Sequence, residues 1–106
     1  MKNVKALTSR SYREYLLSSL KDPQEAAAYI ETFLALDEEG FEPELLRSAL
    51  KEVVEAREQM NNLSEEAKLH YEKLDKMLLE TKGAEIYNLI EFLDALGFRI
   101  AIAPKD

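Results

Sequence analysis

The sequence predicts an all-α fold of five to six helices, with a helix-turn-helix layout in its second half and a short C-terminal β-strand. Three observations predict it. Apolar residues recur at three- and four-residue spacing along most of the chain. Three Gly and three Pro leave little room for long loops, and most stand where helices start or stop. The period shortens to two once, after Gly97. With 106 residues and 46% hydrophobic content, the chain suits a single domain, 1–106, around one modest core.

The first helix is expected over 9–20, where Tyr12, Tyr15, Leu16 and Leu20 repeat at helical spacing. Asp22-Pro23 then opens a second helix. Asp22 can cap it, Pro23 fits its first turn, and Glu25 stands at the capping-box position. Ala27, Ile30, Phe33 and Leu34 form its apolar stripe, and Gly40 can take the positive φ that ends it. Pro43 starts a third helix reaching about Glu58, with Leu46, Leu50, Val53 and Val54 on one side. These helices make up an N-terminal group, 9–58.

Two short helices are expected over 60–81. The first is capped by Asn61 or Asn62 and runs to Ala67, and the second runs from near His70 to Thr81. Gly83 breaks the chain. A further helix then spans 84–97, carries Ile86, Leu89, Ile90, Leu93 and Leu96, and stops at Gly97 as a C-terminal glycine cap. Residues 98–103 alternate large with small or polar side chains before Pro104, which is a strand pattern. A lone strand must pair with a strand of another chain or lie against the body, and both options stay open.

The formal net charge is -7, which argues against a chain built mainly to coat nucleic acid. The charge is unevenly placed. Residues 1–22 carry five basic groups (Lys2, Lys5, Arg10, Arg13, Lys21) against two acids. Residues 23–59 carry three basic groups against ten acids, and 60–83 four lysines against five acids. An acidic segment of this kind is either solvated surface or a target for a basic protein partner. Cysteine is absent, so no disulfide or thiolate site exists, which is compatible with a cytoplasmic protein. No apolar run is long enough for a bilayer, and 1–7 lacks the apolar stretch of a secretory signal, so no membrane partner is expected.

The window 60–78 carries the most information. A helix-turn-helix brings two short helices together at a steep angle and needs a small side chain at their closest approach. Ser64 stands at that place. Leu63, Ala67, Leu69, Leu74 and Met77 or Leu78 are expected to fill the wedge between the helices. The outer side of the second helix then carries His70, Tyr71, Lys73, Asp75 and Lys76.

That layout resembles the phage-repressor type of helix-turn-helix, and the resemblance reaches beyond the motif. The segments Ser9-Arg10-Ser11-Tyr12-Arg13-Glu14-Tyr15-Leu16-Leu17, Leu20-Lys21-Asp22-Pro23 and Glu25-Ala26-Ala27-Ala28-Tyr29 resemble the opening of the probable addiction module antidote family. Glu44-Leu45-Leu46, Ala49-Leu50 and Val54-Glu55-Ala56-Arg57 are similar to its third helix. Asp94-Ala95-Leu96-Gly97-Phe98-Arg99-Ile100 is similar to its end, where a helix passes through glycine into a short strand. The similarity spans nearly the whole chain through an ordered set of short motifs.

The resemblance implies a bacterial antitoxin of a toxin–antitoxin module. Such a protein represses transcription as a homodimer on double-stranded operator DNA and neutralises a toxin similar to the RelE ribonucleases. The acidic segment is then expected to face the basic toxin. The chain departs from the family pattern in its reading head. Lys68 takes the place of the usual turn glycine, at about 1 kcal/mol if its φ is positive. His70 and Tyr71 replace serine and arginine, Asp75 replaces an aromatic or basic residue, and Gly83-Ala84 replaces Asn-Pro.

In the DNA-binding reading, His70, Tyr71 and Lys73 meet base edges while Lys76 and Lys82 hold phosphates. The plainer alternative is an ordinary helical hairpin with solvated lysines, a protein-interaction module without DNA contact. A lone histidine without cysteine is a poor metal site, so no metal and no cofactor are expected. Asp37-Glu38-Glu39 lacks the spaced oxygens of a calcium loop and reads as solvated. Tyr12, Tyr15 and Tyr29 read as core. One histidine supports no catalytic triad, and nothing else identifies an enzyme.

Overall fold

The computed structural model describes residues 9–35 and 40–105, with Ser9 and Arg10 described by backbone alone. Lys2, Lys5 and the run Asp37-Glu38-Glu39 lie outside the described residues. Five helices follow one another: α1 (Ser9–Ser19), α2 (Pro23–Thr32), α3 (Pro43–Gln59), α4 (Glu65–Thr81) and α5 (Ala84–Ala95). The described residues contain no strand.

Local chemistry sets most of the helix ends. The Asp22 carboxylate accepts from the Gln24 N–H at 2.9 Å, and Pro23 occupies the first turn of α2. Pro43 starts α3 in the same way. That helix ends with Asn61 at φ 53, the Asn61 N–H bonding to the Glu58 carbonyl and the Asn62 N–H to Arg57. This is the paired closure of a left-handed C-terminal cap, so Asn61 ends α3 and does not begin α4. Gly97 at φ 91 closes α5 with the same two bonds, Gly97 to Asp94 and Phe98 to Leu93.

The α3 helix is the centre of the packing. Helices α1, α2 and α4 all lie against it, while α5 attaches chiefly to α4. Ala49 and Ala56, seven residues apart on α3, are fully buried, so short side chains let neighbouring helices approach. Leu17, Leu20, Ala26 and Ala56 form one buried cluster, with Leu16, Tyr29 and Val53 packed around it. The Tyr29 hydroxyl donates to Glu52 Oε1 at 2.6 Å, and Arg13 of α1 pairs with Glu55, adding polar ties to α3.

Several expectations are corrected. Tyr12 and Tyr15 are exposed, because α1 turns Leu17 and Leu20 inward in their place. The α2 helix stops at Thr32, and Phe33 forms its C-cap. The two short helices expected over 60–81 are one helix of 17 residues, and the turn at Lys68 does not form. Glu65, Glu66, Ala67, Lys68 and Leu69 are all good helix formers with no glycine among them. A continuous helix therefore keeps every backbone bond and avoids a left-handed lysine. The 98–103 segment is irregular, because no second strand is present to pair with it.

Candidate functional site

The residues singled out from the sequence fall mostly on α4 and its two ends. Ser64 is the N-cap, its hydroxyl accepting from the Ala67 N–H at 3.0 Å. It is an exposed helix start and not the contact point of two crossing helices. Leu74 and Met77 are half-buried on the side facing the body, and Leu78 between their turns is fully buried. Leu63 is half-buried, Ala67 is exposed and Leu69 is 52% exposed, so these three do not form the expected wedge.

His70, Lys73 and Lys76 are exposed along α4, and Lys82 is exposed just beyond it. His70 Nε2 stands 3.9 Å from Glu66 one turn earlier, a contact that is charged only when the ring is protonated. Lys68 Nζ reaches 4.0 Å from Glu58 on α3. The exposed side of α4 carries Glu65, Glu66, Glu72 and Glu80 against Lys68, Lys73 and Lys76. That mixture gives no basic stripe of the kind that tracks a phosphate backbone.

Tyr71 and Asp75 lie elsewhere, half-buried in a shallow groove of about 410 Å³ between α3 and α4, lined also by Glu44, Arg47, Ser48 and Lys51. The Arg47 guanidinium grips both oxygens of Asp75, Nε at 2.9 Å and Nη2 at 3.2 Å. That hydrogen bond holds the Asp75 carboxyl below its ordinary range, against the opposing effect of partial burial. Burial, and the Asp75 charge after it, push the Tyr71 phenol up, so Tyr71 remains a neutral donor. The sequence places Asp75 on the outer side of the expected second helix, but the structure turns it to α3 and gives its charge a partner. Arg47 was not singled out beforehand, since a residue 28 positions away leaves no local signal.

The junction between α4 and α5 is tightly built. Lys82 adopts φ 59 and Gly83 φ 70, so the left-handed lysine expected at Lys68 is found at Lys82 instead. A Cβ on Gly83 would stand 3.0 Å from Phe41 Cε2 and 3.1 Å from Leu78 Cδ2. Phe41 also stacks on Tyr87 with ring centres 6.1 Å apart. The Thr81 hydroxyl lies 2.9 Å from the Met77 carbonyl oxygen, 3.0 Å from Glu85 Oε1 and 3.2 Å from the Gly83 nitrogen.

Beyond this junction α5 buries only Ile90. Leu89, Phe92 and Leu96 are 51%, 61% and 54% exposed, and Phe98 after the cap is 62% exposed. Of the other apolar residues on this helix, Ile86 and Leu93 are half-buried.

The acidic segment is not a continuous open face. Glu31 binds Arg99 Nη1 at 3.1 Å and the Ile102 N–H at 2.9 Å, Glu52 accepts from Tyr29, and Glu55 pairs with Arg13. Much of the negative charge on α2 and α3 thus ties the molecule together. Glu25, Glu42 and Glu44 remain exposed at the helix starts. No group of three potential metal ligands occurs among the described residues, and no helix described is long and apolar enough to cross a membrane. No family model, curated protein or solved structure matches the chain.

Proposed function

We propose that the chain is an antitoxin-type regulator that works by protein contact, neutralising a basic toxin similar to the RelE ribonucleases. One observation carries this reading. The segments that resemble the antidote family fall on α1, α2, α3 and the glycine-capped end of α5, which form the scaffold. The departures cluster in the window that would read DNA, where α4 is one uninterrupted helix with mixed charge. A scaffold without its DNA-reading head is a protein-binding module. The exposed Glu25, Glu42 and Glu44 and the apolar outer side of α5 are surfaces such a module can use.

The test is genetic and biochemical. The protein encoded beside this chain is expressed alone and then together with it. Growth arrest by the neighbour, relief by this chain and co-purification of the two are the expected results. A neighbour that is harmless, or that is toxic and neither bound nor relieved, ends the proposal.

A second reading, operator binding, is favoured by the Arg47–Asp75 pair. With that carboxylate engaged, His70, Lys73, Lys76 and Lys82 meet less local repulsion from α4 toward phosphate. In this reading, titration with the chain's own upstream DNA shows salt-sensitive binding. Lys73→Ala and Lys76→Ala each then lower the salt slope by about 1. Absence of binding at low ionic strength leaves the protein-contact reading alone.

A further inference from the structure

We infer that residues 98–105 form a strap that hinges at Gly97 and is latched by one carboxylate, Glu31, so that the strap opens while α1 to α5 stay folded. This goes beyond the proposed function and does not depend on which partner the chain regulates.

The latch comes first. Glu31 stands in the last turn of α2 and uses both of its oxygens on the tail. Oε2 accepts from Arg99 Nη1 at 3.1 Å, and Oε1 accepts from the Ile102 N–H at 2.9 Å. Among the described residues, 98–105 makes no other hydrogen bond or ion pair to α1, α2, α3 or α4. The position of Glu31 explains the pairing. A carboxylate near a helix C-terminus meets the negative end of the helix dipole, and the last turn of α2 has no basic residue of its own. The Arg99 guanidinium supplies the missing positive charge from 68 positions away.

The rest of the tail is lightly held. No residue of 98–105 is buried, Ile100 and Ile102 are half-buried, and Phe98 is 62% exposed. The Arg99 side chain is 80% exposed, so water and salt weaken its ion pair. Gly97 at φ 91 stands in open space, with nothing within 4 Å of where a Cβ would lie. A glycine so placed turns with little steric resistance. Few buried apolar contacts and one exposed tie are the marks of a segment that opens locally.

The strap also bounds a cleft of about 310 Å³ between the end of α2 and α5. The body contributes Leu34, Ile90 and Asp94 to its lining, and the strap contributes Phe98, Arg99 and Ile100. Release of the strap removes part of that wall and frees the Glu31 carboxylate in the same step. The strap therefore governs access to the cleft.

The test uses the full chain and hydrogen exchange followed residue by residue. The Ile102 amide should exchange at least about a hundredfold faster than the Ala56 amide on α3, with a rate that low denaturant hardly changes. Glu31→Ala should speed Ile102 exchange by at least about tenfold more and leave Ala49 and Ala56 unchanged. Glu31→Gln keeps an oxygen for the Ile102 N–H and loses the charge, so its effect should be smaller. Arg99→Ala should match Glu31→Gln, and the two together should exceed neither alone, since both remove one ion pair. Because the chain has no cysteine, Ile100→Cys reports on the cleft. Its alkylation should speed up when Glu31→Ala is added, whereas that of Phe92→Cys, exposed on α5, should not. Ile102 exchange as slow as that of Ala56 overturns the proposal. So does a Glu31→Ala variant that leaves Ile102 and Ile100→Cys unchanged, or that speeds Ala49 and Ala56 equally. Should Glu31→Ala fail to fold by circular dichroism, the exposed Arg99→Ala decides, and an unchanged Ile102 amide there overturns the latch.

Discussion

Helices α4 and α5 are joined by only Lys82 and Gly83, yet they meet their surroundings in different ways. The α4 helix is amphipathic and the side facing α3 is closed, although Leu69 and Leu79 stay exposed. Leu78 is buried, Leu74 and Met77 are half-buried, Ser64 caps the start, and Arg47 ties Asp75 to α3. The α5 helix, like α4, fully buries one residue, Ile90, but it is apolar on several sides and has no ion pair to the other helices among the described residues. The difference separates two uses of hydrophobic residues. In α4 they hold the fold together. In α5 and its cap, Leu89, Phe92 and Leu96 stay on the surface, where they can serve association.

The contrast can be broken hardest at Leu78. Its truncation to alanine removes a fully buried side chain beside Gly83 and Phe41, at a cost of about 2–5 kcal/mol in chemical denaturation. A loss below 1 kcal/mol, of the order expected for a surface site, would mean that α4 is no better anchored than α5. The next effect has the opposite sign. Lys82 holds a left-handed conformation that costs a side-chain-bearing residue roughly 1–2 kcal/mol, so Lys82→Gly should stabilise the protein by about 1 kcal/mol in the same assay. Destabilisation would show that the lysine side chain itself secures the joint.

The Arg47–Asp75 tie sharpens the contrast through pH. Arg47 depresses the Asp75 pKa in the folded state, so the carboxylate contributes stability above the unfolded carboxylate range near pH 4. That contribution is lost as pH falls through the lower folded value. Thermal melts should therefore show Asp75→Asn less stable than wild type at neutral pH, with the gap closing in acid. Both side chains are about 30% exposed, so the effect is smaller than that of Leu78. A gap independent of pH would assign the loss to shape and not to charge. The smallest change is expected on the solvent side of α4. Lys73→Ala and Lys76→Ala should each alter stability by no more than about 0.5 kcal/mol. A larger loss would mean that this side of α4 packs against something.

Much of the fold was legible in particular residues. Asp22-Pro23, Pro43 and Gly97 marked helix ends through backbone chemistry that operates within a few residues. The continuity of α4 was less legible. Its apolar spacing fits one long helix as well as two short ones, and the family resemblance favoured the break. The candidate site was legible in part. His70, Lys73, Lys76 and Lys82 are exposed as expected, whereas Tyr71 and Asp75 turn toward α3. Arg47 was missed because an ion pair between helices has no sequence spacing.

The sequence by itself determined that the chain is helical, where most helices begin and end, and that its excess of acids is concentrated in residues 23–59. Those properties follow from propensity, capping and composition, which act locally. Only the tertiary structure decided which acids are consumed by partners, which apolar residues stay outside, and whether the 98–103 segment meets another strand. Each of these depends on groups far apart in the chain. Burial and pairing are properties of what lies opposite a residue, and one strand pattern cannot form a ladder alone.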